Sequence, residues 1–170
     1  MIEANKVVAE LLFKAITAEH DGEHFYRMAA DRTEDEQAQQ VFRRLADEER
    51  GHQEFLRAQH KAVSQTGQID SRIKLGIPSD LSSASPIFSE EFKGRIKDAH
   101  FEMSSLSIAI HLEKSAMAYY AECARTVEDP AVQRFFEELT QWETGHYRAL
   151  LRQQDMLKDD FWSEAGFSPY

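Results

Sequence analysis

The chain has 170 residues, 42% hydrophobic and 29% charged, with 30 acidic side chains against 20 lysines and arginines and a net charge of −10. That is enough chain for one well-buried core, and so acidic a surface argues against nucleic acid or anionic membrane as a partner. The single cysteine, Cys123, excludes a disulfide framework and any cysteine-based zinc or iron–sulfur site built within the chain, and is expected to be a small buried hydrophobe. No stretch is apolar for long enough to cross a bilayer. The opening Met1-Ile2-Glu3-Ala4-Asn5-Lys6 lacks the basic-then-apolar layout of a secretory signal, so a cytoplasmic location is expected.

In chain order, residues 6–31 and 34–63 read as long amphipathic helices. Asp31-Arg32-Thr33 separates them, with Thr33 as the expected N-cap and Glu36 completing a capping box. Residues 64–88 turn to Gly, Ser, Pro and short apolar side chains, the texture of a connection. A short helix is expected at about 89–98 and a long one at 103–126. Glu128-Asp129-Pro130 then breaks the chain, with Asp129 as cap and Pro130 at the first position of a last helix running to about 158. The tail, 159–170, carries Phe161, Trp162, Phe167 and Tyr170, expected to pack back on the helices. No strand alternation is present.

The chain repeats itself at an offset of 94 residues without a gap. Leu12, Ala15, Ile16, Glu19 and Tyr26 align with Leu106, Ala109, Ile110, Glu113 and Tyr120. Phe42, Leu45, Glu49, Gly51, His52, Leu56 and Gln59 align with Phe136, Leu139, Glu143, Gly145, His146, Leu150 and Gln153. Most of these positions recur in steps of three and four, the core stripe of a bundle helix. The expected fold is therefore all-α: one domain built as a four-helix bundle from two helical hairpins, about 5–63 and 103–158, with a long crossover over 64–102 between helices two and three.

That stripe should be apolar, yet Glu19, Glu49, Glu113 and Glu143 lie on it, together with His52 and His146. Four buried carboxylates repel one another and lose hydration worth several kcal/mol each. Two divalent irons bring four compensating positive charges, and neutral imidazoles complete their coordination. One Glu from each of two helices and a Glu-x-x-His from each of the other two is the ligand set of di-iron carboxylate bundles. In Glu-x-x-His the two side chains are i, i+3 neighbours on one helix surface. The spacing also agrees with a hairpin: the midpoint of 19 and 49 is 34, and that of 113 and 143 is 128, both at expected breaks.

The segments Ala18–Tyr26, Leu45–His52, Leu112–Tyr120 and Glu143–His146 resemble rubrerythrin-like proteins of the ferritin-like superfamily, over about residues 5 to 157. The resemblance implies a di-iron centre in which Glu49 and Glu143 bridge, Glu19 and Glu113 are terminal ligands, and His52 and His146 give one nitrogen each; Mn or Zn fits the same site. Typical rubrerythrins also carry a rubredoxin domain with paired Cys-x-x-Cys motifs, absent here, so the implied electron donor is a separate rubredoxin-type protein. They carry an extra glutamate three residues after the third-helix ligand, where this chain has Ala116. The result is a symmetric four-Glu, two-His set nearer to a ferritin arrangement.

Among other residues, Tyr26 and Tyr120 are candidates for a hydrogen bond to a carboxylate on the facing helix or a radical relay, against a core aromatic with a satisfied hydroxyl. Glu23 is either a spare ligand or the partner of Arg27. Gly51 and Gly145 are expected to mark a close helix approach. His20, His24, His60, His100 and His111 read as surface or helix-flank residues. The expected function is an oxidoreductase reducing hydrogen peroxide or dioxygen. The alternatives are a ferroxidase or iron-storage protein, a di-iron oxygenase on an organic substrate, and a metal-free bundle. A homodimer or higher homo-oligomer is expected.

Overall fold

Long amphipathic repeats free of internal proline should form long helices, and they do. The computed structural model describes residues 2–76, 86–94 and 100–164. Among them every regular element is helical: α1 (Ile2–Arg32), α2 (Glu36–Thr66), the one-turn α3 (Glu90–Lys93), α4 (His100–Thr126) and α5 (Pro130–Glu164). α1 packs along α2 and α4 along α5, so the two repeats are two helical hairpins, and α1 also meets α4. No helix among the described residues is long and apolar enough to cross a membrane. Phe161 and Trp162 fall on the last turn of α5; their expected packing, like that of Phe167 and Tyr170, lies outside the described residues.

The hairpin turns obey the repeat more closely than the expected caps did. The α2 cap is Asp35, not Thr33: Asp35 Oδ1 accepts from the Ala38 amide at 2.8 Å. Thr33 cannot start α2 because its own amide still donates to Ala29 O at 3.0 Å, closing α1, while its hydroxyl donates to Glu102 at 3.1 Å. In the second hairpin Asp129 Oδ1 accepts from the Ala131 amide at 2.7 Å. Gln39 and Gln133, matched in the repeat, each donate to the turn, to Thr33 O and Val127 O, both at 2.9 Å.

The crossover is tied to the bundle by another repeat-matched pair. Gln59 accepts from the Asp70 amide at 2.9 Å and donates to Asp70 O at 3.0 Å. Gln153 accepts from the Ile87 amide at 2.8 Å. Ile87, Phe88 and Phe92 are buried, the two phenyl rings stacked at 4.4 Å. The second oxygen of Asp35 accepts from both the amide and the hydroxyl of Ser89. At the other end of α2, Gly67 takes φ 76° and its amide bonds Val63 O, a left-handed helix stop that favours glycine.

The apolar core comes in two clusters separated along every long helix. One gathers Tyr26, Phe42, Leu45, Leu106 and Leu150; the other gathers Leu12, Leu56, Tyr120, Phe136 and Leu139. Residues 19, 49–52, 113 and 143–146 fall between the clusters on α1, α2, α4 and α5 respectively. The fold thus places a polar layer between two dry ones.

Asp35 caps α2 and holds the crossover at once, whereas Asp129 is exposed. Asp35→Ala is expected to cost about 2 kcal/mol and Asp129→Ala about 0.5 kcal/mol, the two ends of the N-cap range. Urea unfolding of the two variants measures both, and equal losses would contradict the double role of Asp35.

Candidate metal centre

The polar layer contains all six expected residues. Glu19 stands on α1, Glu49 and His52 on α2, Glu113 on α4, and Glu143 and His146 on α5. None is more than 4% exposed. His52 Nδ1 lies 2.9 Å from Glu19 Oε2, 3.3 Å from Glu143 Oε1 and 3.5 Å from Glu49 Oε2. His146 Nδ1 lies 3.6 Å from an oxygen of Glu113 and 3.6 Å from one of Glu143. The two imidazoles stack with centroids 6.0 Å apart. Two overlapping groups offer atoms within 4.8 Å of one another: Glu49, Glu113, Glu143 and His146, and Glu19, Glu49 and His52. Glu49 belongs to both.

Carboxylates and imidazoles this deep need a partner for every polar atom, and several have none. Among the described residues, both oxygens of Glu143 and Nδ1 of His146 make no hydrogen bond although buried. Burial, with Glu19 close by, pushes the Glu49 carboxyl well up. Burial also pushes Glu113 up to about 7, against the pull of His146. Both imidazoles hold a proton far above the ordinary range because the surrounding carboxylates outweigh burial. Glu143 is held down by the two imidazoles despite burial. Unpartnered, convergent oxygen and nitrogen donors in two groups sharing a carboxylate fit a pair of divalent ions.

Each tyrosine reaches across to the other hairpin: Tyr26 donates to Glu113 Oε1 and Tyr120 to Glu19 Oε1. Both phenols are buried, which pushes them well above their ordinary range. A cleft of about 330 Å³ opens between Ala18 and Gly22 of α1 and Leu112 and Ala116 of α4, with the four carboxylates inside it. The histidines come from the other two helices.

The structure separates the remaining candidates. Glu23 is paired with Arg27 at 2.8 Å and accepts from Gln53 at 2.6 Å, so it is not directed at the layer. Gly51 and Gly145 are exposed, and among the described residues a Cβ on either would meet nothing within 4 Å, so the expected close helix approach is not there. They sit one residue before the histidines, a rotation of about 100° that turns them outward. His20, His24, His100 and His111 are exposed and His60 is half-buried. Cys123 is buried.

One contact was missed in the sequence. Glu48 Oε2 lies 2.9 Å from His146 Nε2, on the outer side of the ring. Its signal was a break in the repeat, where Glu48 aligns with Trp142.

Residues 10–78 match the family model Rubrerythrin. The match covers most of α1, all of α2 and the start of the crossover, and so Glu19, Tyr26, Glu49 and His52. The second hairpin lies beyond it and is connected to the first by the offset repeat. No curated protein and no solved structure matches the chain. Over residues 10–78 the chain is similar to rubrerythrins, and the buried carboxylate–histidine clusters are groups that could hold metal ions within the helical bundle.

The raised carboxyls give metal-free protein a definite pH dependence. Glu113 ionises near 4.5 when unfolded but at about 7 in the fold. Its contribution to stability is therefore complete below about 4.5 and lost as pH rises through 7. Metal binding needs the carboxylates ionised and so strengthens over the same interval. The melting temperature of metal-free protein is expected to fall from pH 5 to pH 8, and the gain on adding divalent metal to grow. A gain independent of pH would contradict a buried carboxylate site.

Proposed function

We propose that this chain, which carries a rubrerythrin-type ferritin-like domain, is a di-iron peroxidase that reduces hydrogen peroxide with electrons from an external donor protein. The observation that carries the reading is the buried layer of four glutamates and two histidines, reached through a cleft on one side. Hard carboxylate oxygens with only two imidazole nitrogens suit iron, and admit manganese or zinc. Glu49 and Glu143 would hold the pair of ions between them, with Glu19 and His52 on one side and Glu113 and His146 on the other. Two ferrous ions supply the two electrons that, with two protons, convert one hydrogen peroxide to two waters without releasing hydroxyl radical.

The chain's own residues prepare that event. Tyr26 and Tyr120 fix Glu113 and Glu19 by donating a hydrogen bond to one oxygen of each. Because burial keeps both phenols protonated, they serve as fixed donors and tune the basicity of those carboxylates. The histidines arrive from α2 and α5, so the oxidant approaches between α1 and α4, past Ala18, Gly22 and Ala116. Cys123, the sole cysteine, is buried; the electrons arrive from outside this domain.

A second reading, an oxygenase on a small organic substrate, is favoured by the cleft itself. Its 330 Å³ is about ten times the ~30 Å³ share of a water molecule and lies at the low end of the ~300–1,000 Å³ of small-molecule sites.

Stopped-flow oxidation of anaerobic di-iron(II) protein tests the choice. Peroxide is expected to oxidise the centre faster than dioxygen, and Tyr26→Phe or Tyr120→Phe to slow the peroxide reaction about 10–100-fold. Faster oxidation by dioxygen with hundreds of irons retained per particle would support iron storage instead. Dioxygen consumption that depends on an organic co-substrate would support the oxygenase.

A further inference from the structure

The two halves of the metal layer differ at one position. Glu48 of α2 and Trp142 of α5 are matched in the repeat, 94 residues apart. Each stands against the histidine of the opposite helix. Glu48 Oε2 meets His146 Nε2 at 2.9 Å, whereas the Trp142 ring meets the His52 ring edge-on at 5.3 Å. Among the described residues, His52 Nε2 is buried and has no hydrogen-bond partner, and the same is true of Trp142 Nε1.

The chemical consequence differs between the two rings. A carboxylate that accepts from Nε2–H keeps the proton on that outer nitrogen, turns the Nδ1 lone pair inward, fixes the ring and raises its basicity as a ligand. His146 has that carboxylate at Nε2, and its Nδ1 makes no hydrogen bond among the described residues. His52 has the reverse: its Nδ1 is engaged with Glu19 at 2.9 Å. The indole beside its outer edge has only an N–H donor and no acceptor to offer. A metal at His52 must displace the Nδ1 proton together with its Glu19 hydrogen bond, and the Nε2 proton that remains has no acceptor among the described residues.

We infer that the two metal positions are unequal. The one served by His146 and Glu113 fills first and tightly; the one served by His52 and Glu19 fills second and weakly. Glu48 is the positioning residue that makes the difference. The inference rests on the binuclear reading of the site. It adds a consequence for the reaction: at limiting iron a singly loaded chain would supply only one of the two electrons that peroxide reduction needs.

Anaerobic Fe(II) titration of the purified chain by calorimetry, with elemental analysis of the dialysed product, tests this without turnover. Wild-type protein is expected to bind two ions in separable steps at least about tenfold apart. Glu48→Ala should weaken the first step about 10–100-fold and bring it close to the second. Glu48→Gln, which keeps an acceptor oxygen but not the charge, should fall between. Trp142→Glu, at a half-buried position, should tighten the second step, an effect that loss of structure cannot produce; circular dichroism confirms that each variant is folded. Equal steps in wild type, unchanged steps in Glu48→Ala, or no tightening in Trp142→Glu would overturn the inference while leaving a binuclear site standing. Absence of any Fe(II) uptake by wild type would overturn the binuclear reading itself, and the inference with it.

Discussion

Four buried carboxylates share one layer of a helical bundle, and everything else in the molecule accommodates that fact. Each has given up hydration worth several kcal/mol, and like charges brought this close repel one another. Without metal the layer is held together by protons: burial pushes Glu49 and Glu113 up, while His52 and His146 stay charged and hold Glu143 down against burial. In the proposed loaded state divalent ions take over the same role and the protons leave. Metal uptake and proton release are then one process, and the site's affinity, stability and pH response are linked.

The surrounding architecture isolates this layer. Apolar clusters lie on both sides of it along all four long helices, and the tyrosines that edge those clusters turn their hydroxyls inward to the carboxylates of the opposite hairpin. The hairpins are set in register by their turns, where matched glutamines fasten Thr33 O and Val127 O. A shift of either turn by one residue would rotate the glutamates off the core face by about 100°. Asp35 couples the first turn to the crossover through Ser89, so the connection is fastened to the element that carries Glu49 and His52.

Much of this was legible because the sequence contains the same hairpin twice. Charges in an apolar stripe stand out, and charges that recur at one offset with a Glu-x-x-His spacing stand out further. Thr33 followed by Glu36 looked like a capping box, yet Asp129, the cap of the second hairpin, aligns with Asp35 rather than Thr33. Glu48 was passed over because it lies off the core stripe, where an acid ordinarily faces water; only its contact with a helix of the other hairpin gives it a role. Gly51 and Gly145 misled in the opposite direction, since repetition alone cannot tell a shared contact from a shared exposed position. The cleft between α1 and α4 depends on how the hairpins dock and on small side chains far apart in sequence, Gly22 and Ala116 among them. Periodicity within a single helix carries no trace of it.

The central claim is that this layer binds a pair of metal ions. Anomalous diffraction at the iron edge, from crystals of protein reconstituted with Fe(II), tests it most directly. The account predicts two peaks per chain inside the bundle, one beside His52 Nδ1 and one beside His146 Nδ1, with Glu49 reaching both. A single peak, or peaks confined to the acidic surface while the layer stays empty, would contradict it.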